Sequence, residues 1–374
     1  MPNTIEIDLK ALRHNFEQVR RFLKPPTKIM AIVKSDAYGH GMIPISKELS
    51  KLGVDFLGVG DVREGLTLRK AKISSPIVVL LGISGEECEC VIQNNLIPAV
   101  YRLDITHGLS QEALKRDRIQ KIHLKIDTGM GRLGIPAHEV TSFLGKIKPL
   151  KSLEVEALFS HLACAHEFDE EYTRFQLEGF RKAIVEAKRM GFSLLYNHIA
   201  NSAAIINYKE AHFDLVRPGI MLYGSLPSPQ FKEKAFLKPV MTFKSRIIQI
   251  KRLPPNSGIS YGRTYVTPRE ALIATIPVGY DNGYMKSLSN KGEVLIGGRR
   301  AKIVGTVCMN LLMIDVTNIP NVQVNDEVVL LGRQMKDVIT AEEIAEKAGT
   351  ISYDIYCAFG NRNQRVYKEE PEFP

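Results

Sequence analysis

The sequence predicts an α/β domain followed by a second domain of mostly antiparallel β structure. Two observations predict it. Between residues 29 and 217, eight short apolar runs alternate with amphipathic stretches, and beyond Gly224 the apolar runs become longer and are separated by Pro, Gly and Asn turns. A length of 374 residues also favours two domains over one core. We place the domains at residues 1–236 and 237–374.

The eight apolar runs have the length and the bounding turns of buried parallel strands. The residues after the sixth run are typical of a helix, since Phe175, Phe180, Ile184 and Ala187 recur at helical spacing before Gly191. This alternation fits both a closed (β/α)8 barrel and an open doubly wound sheet. The runs lie near residues 29–34, 55–60, 77–82, 96–101, 121–127, 154–161, 194–199 and 214–217.

The second domain follows a linker at residues 225–239, which is rich in Pro, Ser and Lys. Residues 242–253, 271–280, 302–316 and 326–332 read as strands of this domain. We expect one helix among them. It begins at Thr340, with Glu343 three residues on as a capping box, and it ends near Gly349.

Composition excludes several classes of function. Fifty basic and 41 acidic side chains leave a net charge of +9, but these charges are interspersed and lack the interleaved aromatic residues of nucleic-acid binders. The five cysteines are few and odd in number, which favours a reducing compartment over a disulfide framework, and the Cys88 and Cys90 spacing does not suit zinc. No apolar stretch approaches the ~20 residues of a membrane span. We therefore expect a cytoplasmic protein without nucleic-acid, membrane or metal partners.

Lys34 is the most informative single residue. It lies in AIVKSDAYGHG, residues 31–41, where the first apolar run ends. Burial there would disfavour the ammonium form, and an unprotonated amine can condense with an aldehyde or act as a base. The ordinary alternative is a lysine that extends from a strand end into solvent.

The segment around Lys34 resembles the cofactor-binding segment of alanine racemases, which hold pyridoxal phosphate (PLP) on this lysine. Further segments resemble that family in its order and spacing, so the resemblance covers nearly the full chain. It implies a (β/α)8 barrel rather than an open sheet, PLP as cofactor, and racemisation of alanine. The further segments are HLKIDTGMGRLG at 123–134, NSAA at 201–204, VRPGIMLYG at 216–224, SYGRTY at 260–265 and VGTVCMN at 304–310.

PLP requires an amine for its aldehyde, donors for its phosphate and a partner for its pyridine nitrogen. In (β/α)8 barrels phosphates commonly bind at the loops after the seventh and eighth strands. Ser202 follows the seventh run, and Gly219 and Ile220 follow the eighth. The resemblance implies that these three residues bind the phosphate and that Tyr38 and Tyr353 add hydroxyl groups.

The resemblance also implies that Arg217 faces the pyridine nitrogen and is hydrogen-bonded by His161. A guanidinium keeps its proton at ordinary pH, so the pyridine nitrogen stays unprotonated and the cofactor is a weaker electron sink. That suits racemisation, in which a short-lived carbanion is reprotonated. PLP decarboxylases of the same barrel typically have a carboxylate at this place.

Inversion of a stereocentre requires removal of a proton from one face and delivery of a proton to the other, and two bases on opposite sides of the cofactor plane meet that need. Lys34 is one base, and Tyr261 resembles the second base of the family. In that family the tyrosine comes from the other subunit, which implies a homodimer with shared active sites.

The resemblance assigns substrate binding to Arg132 and to the backbone at Met309, with bidentate pairing of the arginine to the carboxylate. Lys125 matches a lysine that is often carbamylated in the family. Tyr280 and Tyr353 match residues that narrow the entrance, which favours a small side chain such as that of alanine.

The sequence departs from the family pattern at Asn310, where an acidic residue is usual. Three alternatives remain. Residues 129–134, GMGRLG, formally satisfy the dinucleotide-binding pattern, although Pro136 follows at once. A racemase of the same family with broader specificity, including serine, and a non-catalytic PLP-binding barrel are the others; the last would need neither Tyr261 nor a second domain. As an alanine racemase, the protein would supply D-alanine for peptidoglycan.

Overall fold

The computed structural model describes residues 3–167 and 170–369. Strands and helices alternate through most of its first half. The strands there are β1 (Thr4–Asp8), β2 (Lys28–Ile32), β3 (Phe56–Val59), β4 (Ile77–Val79), β5 (Leu96–Val100), β6 (Gln120–Asp127), β7 (Ile135–Pro136), β8 (Leu153–Phe159) and β9 (Leu215–Val216). The helical segments are α1 (Leu9–Phe22), α2 (Lys34–Tyr38), α3 (Met42–Lys51), α4 (Val62–Lys70), α5 (Cys88–Gln93), α6 (Leu103–Lys115), α7 (Val140–Ile147), α8 (Glu171–Arg189) and α9 (Ser202–Asn207).

The parallel strands close into a barrel, which confirms the predicted (β/α)8 architecture. Hydrogen bonds join the strands in the order β6, β5, β4, β3, β2 and β9, and β8 pairs with the other edge of β6. The predicted seventh strand is reduced to a bridge between Phe159 and His198. The ring closes on its other side, where the Asp214 amide donates to the Asn197 carbonyl over 3.2 Å. Large apolar side chains such as Met30 and Phe56 pack together inside it.

The second half is built on one large sheet and is mostly antiparallel, as predicted. Its elements are β10 (Met241–Arg246), β11 (Gln249–Leu253), β12 (Gly258–Ile259), β13 (Tyr265–Val266), β14 (Ala271–Ile276), β15 (Glu293–Ile296), β16 (Arg299–Ile303), β17 (Leu312–Asp315), β18 (Glu327–Gln334), β19 (Asp337–Ile339), α10 (Ala341–Ala348), α11 (Ser352–Gly360) and β20 (Arg365–Lys368). Hydrogen bonds join the strands of the large sheet in the order β11, β14, β17, β16, β15, β18, β10, β1 and β20, and β19 pairs with β18. Strands β12 and β13 form a separate two-stranded sheet.

Four details differ from the sequence-based expectations. Residues 242–253 form two strands, β10 and β11, rather than one. Residues 302–316 form two strands rather than one, because Gly305 has a φ of +80° and its amide donates to the Asn290 side chain over 2.6 Å. Phe175 is 63% exposed, and the buried face of α8 instead includes Leu177 and Phe180. Strand β1 lies in the second sheet, between β10 and β20, so the chain's first strand joins the second domain. The division after residue 236 stays a prediction.

Half of the predicted capping box of α10 is present, because the Glu343 carboxylate accepts from Arg300 and Lys347 and not from the Thr340 amide. The Thr340 hydroxyl accepts a hydrogen bond from the Glu343 amide over 3.2 Å, and Gly349 ends the helix in the left-handed conformation. Among the helices described, none is long and apolar enough to cross a membrane.

Candidate active site

A cavity of about 340 Å³ lies at the carboxyl ends of the barrel strands. Most of the predicted site residues line it, and they come from both halves of the chain. Those in its wall are Lys34, Tyr38, Lys125, Arg132, His161, Ser202, Arg217, Gly219, Ile220 and Tyr353.

Lys34 lies just beyond the carboxyl end of β2 and is half-buried in the cavity wall. Burial lowers the pKa of Lys34, and the positive charges of Arg132 and Arg217 lower it further. The unprotonated amine is therefore more accessible at neutral pH than it is in an ordinary lysine.

The turn after Lys34 is left-handed over four consecutive residues, since φ lies between 52° and 55° from Ser35 to Tyr38. Each left-handed residue costs roughly 1–2 kcal/mol, so the turn needs support from its surroundings. The Asp36 carboxylate accepts from the Met42 amide over 2.6 Å and pairs with Arg365 of β20. Arg365 also donates to the Gly39 carbonyl over 3.0 Å. The last strand of the described residues, β20, thus stabilises the turn.

Glu64 fixes the start of the same turn. Its two carboxylate oxygens accept from the backbone amides of Ser35 and Gly60, each over 2.6 Å. One side chain of α4 therefore ties together the loops that follow β2 and β3.

Ser202 and Gly219 come together on the phosphate side of the cavity. The Ser202 hydroxyl accepts from the Gly219 amide over 3.0 Å and from the Met221 amide over 3.4 Å. Ser202 is the first residue of α9 rather than its cap, because the Asn201 side chain caps that helix. A Cβ at position 219 would lie 2.6 Å from the Tyr38 hydroxyl oxygen, so any residue other than glycine would require the Tyr38 side chain to move.

Tyr38 and Tyr353 add two phenol groups to the wall, with ring centroids 5.6 Å apart. Burial raises the pKa of Tyr38 well above its ordinary value and that of Tyr353 to about 12. Both hydroxyls therefore stay protonated at neutral pH and can donate hydrogen bonds.

Arg217 is buried and held from several sides. It donates to His198 Nδ1 over 2.6 Å, to the Ser160 carbonyl over 2.7 Å and to His161 Nδ1 over 3.2 Å. Burial and the charge of Arg132 lower the pKa of Arg217 to about 9, which leaves it cationic at neutral pH. Burial and the Arg217 charge hold the pKa of His161 well below its usual range, so its ring is a neutral acceptor.

Lys125 is also buried, with Nζ 4.4 Å from the centroid of the Phe159 ring. Burial, followed by the charges of Arg217 and Arg132, lowers the pKa of Lys125 well below its usual value. Its amine is therefore unprotonated, and so nucleophilic, more often than that of an ordinary lysine.

The loop that carries Arg132 does not bind a dinucleotide in the manner of a GxGxxG turn. The Asp127 carboxylate accepts from the amides of Gly129 over 2.9 Å and Gly131 over 3.2 Å, so these donors are already engaged. The loop then leads into β7 and not into a helix. The dehydrogenase alternative is therefore wrong.

Three predicted residues lie outside the cavity of their own chain. The exposed fractions are 73% for Tyr261, 39% for Tyr280 and 55% for Met309. Hydrogen bonds join their loops: the Tyr280 amide donates to the Cys308 carbonyl over 3.0 Å, and the Thr306 hydroxyl donates to the Tyr261 carbonyl over 2.9 Å. They share one exposed surface of the second domain.

The cavity is strongly cationic. Lys34, Lys125, Arg132 and Arg217 all line it, and its wall, as far as it is described, contains no carboxylate. Such a set favours a ligand with several negative charges. Within residues 3–167 and 170–369, no group of three or more His, Cys, Asp or Glu is arranged to hold a metal ion.

Sequence reasoning missed His198, Glu64 and Arg365. His198 precedes the NSAA segment by three residues, a local signal that could have pointed to it. Glu64 and Arg365 act on the turn after Lys34 from other elements, 29 and 329 residues from their partners Ser35 and Asp36. No local pattern marks such contacts.

Known proteins match the chain over nearly its full length. Residues 7–227 match the family model for the alanine racemase N-terminal domain, and residues 240–367 match that for the C-terminal domain. An alanine racemase of Citrifermentans bemidjiense is 50% identical, with 98% of each protein covered.

Solved structures of alanine racemases also superpose on the chain over nearly its full length. An alanine racemase of Clostridium difficile superposes with a TM-score of 0.94 at 36% identity, covering 100% of this chain and 97% of that one. An alanine racemase of Bartonella henselae, described with covalently bound pyridoxal phosphate, gives 0.90 at 27% identity, covering 98% of this chain and 100% of that one. The chain belongs to the alanine racemase family.

Proposed function

We propose that this protein interconverts L- and D-alanine with PLP as cofactor, using Lys34 and Tyr261 as two opposed bases. The observation that carries the proposal is the cationic cavity, in which a lysine of lowered pKa lies beside a buried cationic arginine. PLP and alanine both bring negative charge to such a site.

The residues present fit PLP. Ser202, Gly219 and Ile220 would hold its phosphate, because they lie at the loops where barrels bind phosphate and the Ser202 hydroxyl, which accepts from the Gly219 amide, can still donate its own proton. The absence of a Cβ at Gly219 brings backbone close to the Tyr38 hydroxyl, and Tyr353 adds a second phenol. Bound there, PLP would delocalise the electron pair left when the Cα proton is removed.

Lys34 would hold the cofactor and, once replaced by substrate, move a proton at its Nζ. A lowered pKa suits both tasks, since a general base works best with a pKa near the operating pH. The hydrogen bonds made by Glu64 and Arg365 fix the turn that follows Lys34, and therefore the direction of the Lys34 side chain.

Arg217 would bind the pyridine nitrogen through a guanidinium that stays protonated. A donor that keeps its proton leaves that nitrogen neutral, which limits how far charge is withdrawn from the substrate. His161 would orient the arginine as a neutral acceptor at Nδ1.

Tyr261 would serve as the second base from a second copy of the chain. In its own chain it is 73% exposed and outside the cavity wall, on a surface shared with Tyr280 and Met309. A homodimer that sets this surface over the partner's cavity would complete each site. Tyr280 and Tyr353 would then narrow the entrance from opposite chains.

Arg132 and the Met309 backbone would bind the substrate carboxylate. The Lys125 amine would add carbon dioxide, forming an N–C bond and releasing a proton, and the resulting carbamate would pair with Arg132. That modification would also place a negative charge among the four basic side chains of the cavity. The depressed pKa of Lys125 supports it, because only the unprotonated amine reacts.

We further propose a cytoplasmic location and a role in supplying D-alanine for peptidoglycan. The sparse, odd set of cysteines supports the location. The peptidoglycan role follows from the family's reaction product.

A chiral assay tests the activity. Purified protein with added PLP is incubated with a panel of L-amino acids, and the D-enantiomers are separated and quantified. Conversion of L-alanine well ahead of L-serine supports the proposal. Equal conversion of both would favour a broader racemase, and PLP binding without any conversion would favour the non-catalytic barrel.

A further inference from the structure

A continuous chain of hydrogen-bonded side chains crosses the inside of the barrel behind Arg217. Arg217 contacts His198 Nδ1 at 2.6 Å, and His198 Nε2 lies 3.0 Å from His123 Nδ1. His123 Nε2 lies 3.3 Å from one carboxylate oxygen of Glu156, and Lys121 donates to the other over 2.7 Å. The reaction as proposed uses none of the three members beyond His198.

This series of hydrogen-bonded side chains is shielded from solvent except at one end. His123 and His198 have no exposed surface, Glu156 is 2% exposed, and the Lys121 side chain is 49% exposed. Lys121 is the second residue of β6 and Glu156 lies in the middle of β8, whereas Arg217 directly follows the carboxyl end of β9. The hydrogen-bonded side chains therefore connect the active-site end of the barrel with its opposite end.

Only one arrangement of protons satisfies all these contacts. Arginine has donors and no acceptor, so His198 Nδ1 must accept and its proton must reside on Nε2. That proton points at His123 Nδ1, which must accept in turn and carry its own proton on Nε2. The His123 proton then meets an ionised Glu156. Each ring is neutral, in keeping with burial, which lowers the pKa of both His123 and His198.

The negative charge on Glu156 fixes the direction of these hydrogen bonds. Burial alone would raise the pKa of Glu156, but hydrogen bonds from His123 and Lys121 outweigh burial and lower it. As a carboxylate it can only accept, so the order of donors cannot reverse. An acceptor that could also donate would allow both rings to switch tautomer and present an N–H to Arg217.

We propose that His123 and Glu156 are positioning residues for Arg217: they hold His198 in the tautomer that accepts a hydrogen bond at Nδ1, and so keep the guanidinium oriented toward the cofactor. This inference rests on the proposed function only in naming the cofactor. Neither residue touches the cavity, so neither is a catalytic residue.

Glu156→Gln is the sharpest probe because it preserves shape and removes the charge. The glutamine oxygen can accept from Lys121 while its amide donates to His123 Nε2, which reverses both tautomers and sets an N–H against Arg217. Glu154→Gln is the matched control. It makes the same change two residues away on β8, at a half-buried side chain outside the chain of histidines.

The first measurement is made on the wild-type protein and needs no activity. Nitrogen-15 NMR of histidine-labelled protein at pH 7.5, with and without PLP, reports the tautomer of each ring. The His198–His123 pair is recognised by a coupling across the N–H···N bond, which only a histidine–histidine hydrogen bond produces. Two neutral rings with protons on Nε2 are expected. A proton on Nδ1 of His198, or a charged ring in the pair, would overturn the proposal.

The second measurement is kinetic. In Glu156→Gln we expect kcat for racemisation to fall about tenfold, as for other outer partners of functional side chains, with KM changed much less. The ratio of pyruvate released to alanine racemised should rise, because a displaced Arg217 no longer restrains charge withdrawal by the cofactor. Glu154→Gln should change neither quantity.

The two proposals fail separately. A wild-type protein that does not racemise alanine refutes the proposed function and leaves the tautomer measurement valid. Wild-type racemisation with an unchanged kcat and pyruvate ratio in a folded Glu156→Gln refutes the positioning role. If Glu156→Gln does not fold, His123→Gln replaces it, and an unchanged pyruvate ratio in that variant equally refutes the positioning role.

Discussion

Arg365, in β20, pairs with Asp36 in the left-handed turn that follows Lys34. The same guanidinium donates to the Gly39 carbonyl, so a residue of the second domain holds the turn at both ends. The second domain thus supports the position of a lysine that belongs to the barrel.

Arg365→Ala should loosen this turn and weaken PLP binding. The Asp36 side chain is 37% exposed, so we discount the loss for solvent screening to about 1 kcal/mol, or about fivefold in the dissociation constant. Titration of apoprotein with PLP, followed by the visible absorption of the complex, measures this. Arg252→Ala, which breaks a more exposed ion pair with Glu270, is the control and should bind PLP normally.

Tyr261→Phe should lose about 10²- to 10⁴-fold of racemase activity, the usual contribution of a general acid or base, while the visible absorption of bound PLP persists. Lys34→Ala should lose that absorption itself, because the amine that holds the cofactor is gone. Full activity of Tyr261→Phe in both directions would contradict the two-base assignment.

Mixing the two inactive variants tests whether sites are shared between subunits. Because Tyr261 is exposed in its own chain, a heterodimer of Lys34→Ala and Tyr261→Phe should contain one site with both bases intact. Partial recovery of activity after subunit exchange is the expected result. No recovery despite exchange proven by mass-tagged subunits would place both bases in one chain.

Carbamylation of Lys125 should be visible directly. After equilibration with carbon-13 bicarbonate, the wild-type protein should show a carbamate signal in carbon-13 NMR, and removal of carbon dioxide should raise KM for alanine. Lys125→Arg keeps the charge but cannot form the carbamate at neutral pH, so it should be insensitive to bicarbonate. A wild-type spectrum without the signal would count against the modification.

Stability should fall as the pH drops below about 6.5. Burial lowers the folded-state pKa of His40, His123, His161 and His198, that of His40 to about 3, whereas unfolded histidines titrate near 6.5. Below that pH the unfolded state therefore binds more protons, and each such histidine lowers the free energy of unfolding by about 1.4 kcal/mol per pH unit.

Urea denaturation at pH 7.5 and 5.5 measures this dependence. His40→Gln should reduce the difference between the two free energies of unfolding, and His138→Gln, at an exposed ring, should leave it unchanged. Equal stability of the wild-type protein at the two pH values would contradict the neutral state of the buried rings.

Local patterns predicted the elements well. Seven of the eight barrel runs coincide with strands, because a buried parallel strand is a short apolar run whatever its partners are. The seventh run does not form a continuous strand, since a single β-bridge, between His198 and Phe159, joins the described residues of this run to β8. Residues 302–316 read as one strand because their apolar pattern continues through a loop that Gly305 turns.

By itself the sequence determined the order of strands and helices, the position of Lys34 at a strand end and, through the resemblance of its segments, the residues of the candidate site. Tertiary structure alone decided that Arg365 and Glu64 hold the lysine turn, that His198 leads from Arg217 to Glu156, and that Tyr261 lies outside its own cavity. The physical reason is the separation of the interacting residues along the sequence. Periodicity and capping act over a few residues, whereas these contacts join distant residues that only barrel closure and sheet pairing bring together.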